Sequence, residues 1–316
     1  MKRGRWIAAA VVVIAMIGIG LRMALKSDDV EPPLPGDAGT VAQAAASADT
    51  TLASAAAQVP KAETVVSESG VPIRIVRHPR LGLPSGSLGA AYAKLLPAAQ
   101  AGEPPAQYQL GLVLYECRDV PGDEKALGRE IETMYQTRRR GGWDIDSPKD
   151  EETTLRRRFS ECAGVPGGER GKYRDWLRKS ADAGLLDAEL DLPLKLPQAE
   201  YCQYLSQCSP QQRAQQEALS KEAVDYLGRA RDAGSASALW TFGAWYAEGE
   251  VLPKNDIEAY ANFRALDQIE AASGQPRRFE SMLSDLRGRL RPIDQAEAED
   301  HAKALLSNPN CCVITP

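Results

Sequence analysis

The sequence predicts an all-α protein, a solenoid of stacked helical hairpins set behind an apolar N-terminal segment and an irregular linker. Three observations point to it. Aromatic residues are only 6% of the 316-residue chain while Ala is abundant. Small side chains must therefore fill much of the interior, which favours close helix packing over a β-sandwich. An Ala-Gly pattern with a second small residue at fixed spacing recurs along the chain. The third is a sharp change of composition at residue 27 and again near residue 70. The formal net charge of −5 argues against a general nucleic-acid binder, which needs a basic face. With only two histidines, His78 and His301, a multi-histidine metal site is excluded.

Residues 1–26 read as a transmembrane signal anchor. Lys2, Arg3 and Arg5 precede an unbroken apolar run from Trp6 to Leu21, and Met23 to Leu25 resume it after Arg22. If Arg22 snorkels, residues 6–25 form a helix about 30 Å long, one hydrocarbon thickness. The positive flank would hold the N-terminus in the cytoplasm and send the rest outward. A cleaved signal peptide is the competing reading. Gly18 and Gly20 could precede a cut, but no Ala-x-Ala site follows the run and no Cys near its end could carry a lipid. Either way the body is exported.

Residues 27–70 read as a disordered Ala/Pro/Ser-rich linker. They hold 11 Ala, no aromatic residue and no Cys, and seven acids against Lys61. Such a stretch cannot bury enough apolar surface to offset its ordering entropy. A coil of this length spans roughly 35–40 Å end to end, enough to lift a folded head off a membrane.

Residues 71–316 form the head. A short extended piece, VPIRIVRHPRLGLP, leads into helices. Ala101 to Cys117 read AGEPPAQYQLGLVLYEC, and Ala233 to Gly249 read AGSASALWTFGAWYAEG. Ala106 matches Ala238, Tyr108 matches Trp240, and Gly111 matches Gly243. A third copy begins at Ala183-Gly184 and keeps Ala188, but Pro193 stands at its second glycine. One helix ends in Ala-Gly, where the glycine takes the left-handed cap conformation. The next helix then offers small residues for close approach. A lone pair cannot bury its apolar face, so pairs must stack.

The copy at Gly234 resembles the Sel-one-like repeat family, a relative of the tetratricopeptide repeats. The likeness runs through Gly234, Ala238, Phe242-Gly243, Tyr246 and Gly249, then Pro253, Asp256 and Ala259 into YANFRALDQI. The copy at Gly102 matches as far as Leu114-Tyr115 and departs where Cys117 replaces the loop glycine. The resemblance implies a right-handed α/α solenoid and an adaptor role. Spacing between copies is longer than an uninterrupted array gives, so a diverged helical pair is expected at about 123–162. Helices are expected near 87–101, 104–118, 122–139, 148–162, 168–183, 185–191, 198–206, 210–233, 235–248, 255–272, 277–290 and 293–307.

All six cysteines lie in the head, and an even count in an exported chain points to disulfides. Cys202 and Cys208 flank a short turn and could pair locally. Cys117 and Cys162 each end an expected helix and could staple the diverged pair to the first copy. Cys311 and Cys312 could pair with each other, pair elsewhere or bridge two chains. No two cysteines carry the two-residue spacing of a zinc site and only two histidines are available, so no metal is expected, and no cofactor is expected either.

No catalytic residue is expected. There is no Walker loop and no G-x-S-x-G elbow. Glu280-Ser281 resembles the catalytic pair of some lytic transglycosylases, but the Gly-Leu-Met-Gln segment that should follow is missing, and Glu280 reads as a solvated helix acid. His78 and His301 read as surface or satisfied histidines. Arg138 to Arg140 and Arg156 to Arg158 read as a solvated helix face answered by Glu151, Glu152 and Glu161. Among the tryptophans, exposed members of Trp143, Trp176, Trp240 and Trp245 could anchor a partner, while Trp240 and Trp245 read as repeat core. The expectation is therefore a non-enzymatic protein of the bacterial inner membrane, single-pass, with its C-terminal domain in the periplasm. Its repeat surface would bind a protein or peptide as adaptor, scaffold or inhibitor. The alternative is a peptidoglycan-binding or peptidoglycan-cleaving envelope protein.

Overall fold

The computed structural model describes residues 62–141, 148–196 and 208–315. The chain divides after Gln58, and every described residue belongs to the unit that begins at Val59. The expected anchor, most of the linker, Trp143, Cys202 and the helix expected at 198–206 lie outside the described residues. Among the described residues, no helix is long and apolar enough to cross a membrane.

A β-hairpin opens the head. Strand β1 (Ala62–Val66) pairs antiparallel with β2 (Pro72–Arg77). The turn between them closes through Gly70 at φ +79°, whose N–H donates to the Ser67 carbonyl at 3.0 Å. Ile73 and Ile75 alternate inward and are buried. This corrects the sequence reading twice. Residues 62–70 belong to the hairpin and not to a disordered linker, and the body is helical with a small sheet attached. The third strand, β3 (Val313–Ile314), returns from the far end of the chain to lie parallel to β2. Pairing over that sequence distance leaves no local signal, which is why the strands were invisible as a sheet.

Twelve helices follow among the described residues. They are α1 (Leu88–Gln100), α2 (Pro104–Cys117), α3 (Glu124–Gly141), α4 (Pro148–Glu161), α5 (Gly167–Arg170) and α6 (Tyr173–Asp182). The second half has α7 (Leu186–Lys195), α8 (Pro210–Asp232), α9 (Ala236–Glu248), α10 (Asp256–Ala272), α11 (Glu280–Arg289) and α12 (Pro292–Leu306). Sequence expectations fall within a few residues of these with two exceptions: α7 runs four residues past its expected end, and the single helix expected at 168–183 is broken at Gly171-Lys172 into α5 and α6. Ser209 and Gln212 form a reciprocal capping box before Pro210, and Asn255 caps α10 by accepting from the Ile257 and Glu258 amides.

The hairpins stack as α2 with α6, α7 with α8, and α9 with α10, with α1 packed on α2 and α11 and α12 closing the far end on α10. The repeat glycines explain the closeness. Gly102, Gly184 and Gly234 all sit at positive φ (93°, 80° and 88°) and end the preceding helices. A Cβ on Gly111 would stand 2.8 Å from the Leu177 side chain of α6, and one on Gly243 would stand 2.9 Å from the Phe263 ring of α10. Both pairs therefore use a missing side chain to bring two helices together.

The diverged pair at 123–162 is present as α3 and α4, but it is an insertion and not a member of the stack. Helix α2 packs directly against α6 across it. Cys117 and Cys162 are disulfide-bonded with Cα atoms 5.7 Å apart, so the bridge pinches the base of the inserted pair. Cys208 is also disulfide-bonded, and Cys311 is bonded to its neighbour Cys312. That last pair lies alongside β2, just before β3, where the Cys312 carbonyl accepts the Val76 amide at 2.9 Å.

Candidate functional site

The three Ala-Gly copies give three helices, α2, α7 and α9, numbered alike from their cap glycines. Positions three, six and seven after the glycine are Pro105, Tyr108 and Gln109 in α2. In α7 they are Asp187, Leu190 and Asp191, and in α9 Ser237, Trp240 and Thr241. The chain's own lead-in, residues 78–82, passes over the α2 and α7 members of this set.

That passage is held by hydrogen bonds to both backbone and side chains. The Leu81 amide donates to Asp187 Oδ2 at 3.1 Å, and Gln109 Nε2 donates to the Gly82 carbonyl at 3.1 Å. His78 Nε2 stands 3.4 Å from Asp187 Oδ2, so it is a partnered histidine as expected. Arg80 pairs with Asp191 and holds its Nε 3.6 Å from Asp187 Oδ1. Asp191 also accepts from the Tyr108 hydroxyl at 3.0 Å and from Lys195 Nζ at 2.9 Å. Burial would raise the Asp191 carboxyl, but Lys195, Arg80 and Tyr108 outweigh it and hold it below the usual Asp value. The same burial, together with Asp191, pushes the Tyr108 phenol far up. These two buried acids on one helix face were missed in the sequence. Their spacing of four residues was the available signal.

Beyond Arg80 the face opens into a cleft of about 420 Å³ between α7, α9 and α10. Leu190, Asp191 and Leu194 form one side, and Ser237, Trp240 and Thr241 another. Glu270, Arg278 and Phe279 close it from α10 and the segment leading to α11, with Ile314 and Thr315 at one end. Trp240 is 48% exposed and Leu194 55%, while Trp245 is buried. Trp240 is therefore not repeat core, a correction to the sequence reading. Its counterpart Tyr108 is covered by the lead-in, and among the described residues nothing equivalent passes over Trp240.

Charge in the cleft is layered. The carboxylates lie deep, with Asp191 and Glu270 side chains 11% and 6% exposed. The guanidiniums of Arg80 and Arg278 lie above them, 42% and 65% exposed. Arg278 grips Glu270 through Nη2 and through Nε at 3.3 Å.

A second cavity, about 340 Å³, brings together Ser235, His301, Glu258 and Cys311. His301 Nδ1 stands 3.0 Å from Glu258 Oε1. The grouping suggests a serine nucleophile with its base, but Ser235 Oγ is fully buried without a hydrogen-bond partner. A nucleophile needs both access and that partner, so the cavity does not form a triad. Glu280 stands exposed in the first turn of α11. Arg156 pairs with Glu152 at 2.8 Å and Arg157 with Glu161 at 3.0 Å, along the helix as expected. The side chains of Arg138 to Arg140 lie outside the described residues. Among the described residues, no group of His, Cys, Asp and Glu is arranged to hold a metal.

Comparison with protein-family models and with curated proteins finds no match. Among solved structures the chain is similar to a protective antigen present in uropathogenic Escherichia coli strains, displaying an SLR fold. The identity is 14% over 69% of this chain and 48% of the other, with a TM-score of 0.24. The chain thus spans about half the length of that structure. The hairpin assignment rests on the glycine contacts and helix pairing described above.

Proposed function

We propose that the protein is a membrane-tethered, exported helical-repeat module that binds an extended segment of another protein, acting as an adaptor, scaffold or inhibitor in a bacterial envelope. One observation carries the binding part of this reading. The face formed by α2, α7 and α9 already holds an extended peptide, the chain's own residues 78–82, by main-chain and side-chain hydrogen bonds. Next to it the same face continues as a cleft with an exposed tryptophan. Repeat solenoids offer long surfaces of this kind, and exposed Trp is a preferred anchor at interfaces. The tethering part rests on the apolar run at residues 6–25 and the acidic linker after it.

The test is a photo-crosslinking amino acid placed at position 240 of the full chain in intact cells, with Lys94 as a control position. A discrete crosslinked protein at 240 and not at 94 is the expected result. Crosslinks to glycan strands without protein would replace this reading with the wall-binding one.

A further inference from the structure

The hydrogen-bonding state of the cleft limits what can enter it. Every oxygen of both carboxylates already accepts a hydrogen bond. Asp191 accepts from Arg80, Tyr108 and Lys195, and both Glu270 oxygens accept from Arg278. A cationic ligand would have to displace a guanidinium from a buried acid and leave that guanidinium unpaired. The donors are in the opposite state. Among the described residues, Nη1 of Arg80, Nη1 of Arg278 and Nε1 of Trp240 have no acceptor, and all three side chains line the cleft. Each guanidinium is anchored by its other nitrogens, so its free edge is pre-oriented. What the cleft lacks is acceptors, and charged acceptors bind such edges most strongly.

The surroundings supply the second requirement. Trp240 and Leu194 present a large exposed apolar area beside those cations, with Phe279 behind. A bare polyanion would leave that area wet.

We propose that the cleft takes an acidic extended peptide, with an Asp or Glu carboxylate on Arg80 and Arg278 and a neighbouring large apolar side chain against Trp240 and Leu194. This rests on the peptide-binding reading above and names the class of peptide. The occupied half of the face works with the opposite polarity. There α7 carboxylates hold an amide and a cation of the lead-in, so the two halves select different segments.

The test uses the full chain and three synthetic decapeptides with one shared Leu-Phe centre. Their flanks are Asp and Glu, Ser and Asn, or Lys and Arg, and binding is read by calorimetry and tryptophan fluorescence. The acidic peptide is expected to bind at least about ten-fold more tightly than the other two, and to weaken as salt is raised. Arg278→Gln should weaken it about five- to ten-fold with an unchanged circular-dichroism spectrum. Arg278 is the primary variant because Arg80 also holds the lead-in in place. Trp240→Ala should weaken all three peptides. Equal or tighter binding of the neutral or basic peptide would overturn the acidic assignment and leave the peptide-binding reading standing. Binding of polyglutamate as tight as the acidic peptide would overturn the apolar half. If no peptide binds at all, both this inference and the reading beneath it fail.

Discussion

The first and third repeats begin alike and finish differently. In each, a helix starts after an Ala-Gly cap and sets a glycine against its partner helix, Gly111 on Leu177 and Gly243 on Phe263. In each, an aromatic residue follows six positions after the cap. Tyr108 is 1% exposed and bonded to Asp191, whereas Trp240 is 48% exposed at the edge of a cleft. The difference lies outside the repeats themselves. The lead-in passes over the α2 and α7 members of the face, and the inserted α3–α4 pair is tied to the end of α2 by Cys117–Cys162. Repeat geometry is thus shared, while what covers the face decides which copy is structural and which is available.

The largest difference between the two regions should come from that strap. Replacing Cys117 and Cys162 together by Ala removes a crosslink closing 45 residues and should cost about 4 kcal/mol. Chemical denaturation would show it. Trp240 fluorescence should then report an intact cleft until global unfolding begins. Early loss of that signal would mean that the two regions are not separable.

The shared glycines come next. Gly111→Ala and Gly243→Ala each place a methyl within 3 Å of a packed side chain, and each should cost about 1–3 kcal/mol. Similar values for both would support equivalent repeats. A cost at one alone would break the comparison.

The aromatic pair should give smaller and unequal effects. Tyr108→Phe removes a buried hydroxyl bonded to Asp191 and should cost about 1 kcal/mol, while Trp240→Phe should stay within about 0.5 kcal/mol. Thermal melts of the two variants decide this directly.

The smallest effect concerns pH, and its sign differs between the regions. Asp191 is held below the usual Asp value, so its contribution to stability is complete above that value, near pH 4, and is lost as pH falls through the lower folded value. Asp267 in α10 is raised by burial, against the pull of Arg264. Its folded state favours the proton, so it is most favourable below the unfolded value and loses stability as pH rises through the folded one. Asp191→Asn should therefore flatten the acid limb of a stability–pH profile, and Asp267→Asn should steepen it. Profiles that move the same way would contradict the assignment.

Much of the helical body was legible because its signals are local. Cap glycines, Ser209-Pro210 and the apolar period fixed most helix ends to a few residues. Three features were hidden, each for a physical reason. The β-sheet joins residues 62–77 to 313–314, and a two-residue strand carries no pattern of its own. The α3–α4 pair has ordinary helical periodicity, and only tertiary packing of α2 on α6 reveals it as inserted. Trp240 and Tyr108 occupy identical repeat positions, so no helical period distinguishes them. Their different exposure follows from residues 78–82, far from Trp240 in sequence.

The availability of the α7–α9 cleft is tested most directly by selecting binders from a random peptide library on the full chain and re-measuring each on Trp240→Ala. The expected result is a set of acidic peptides with a large apolar residue that lose at least ten-fold in affinity on the variant. Selected peptides that bind Trp240→Ala as well as the parent would contradict the account.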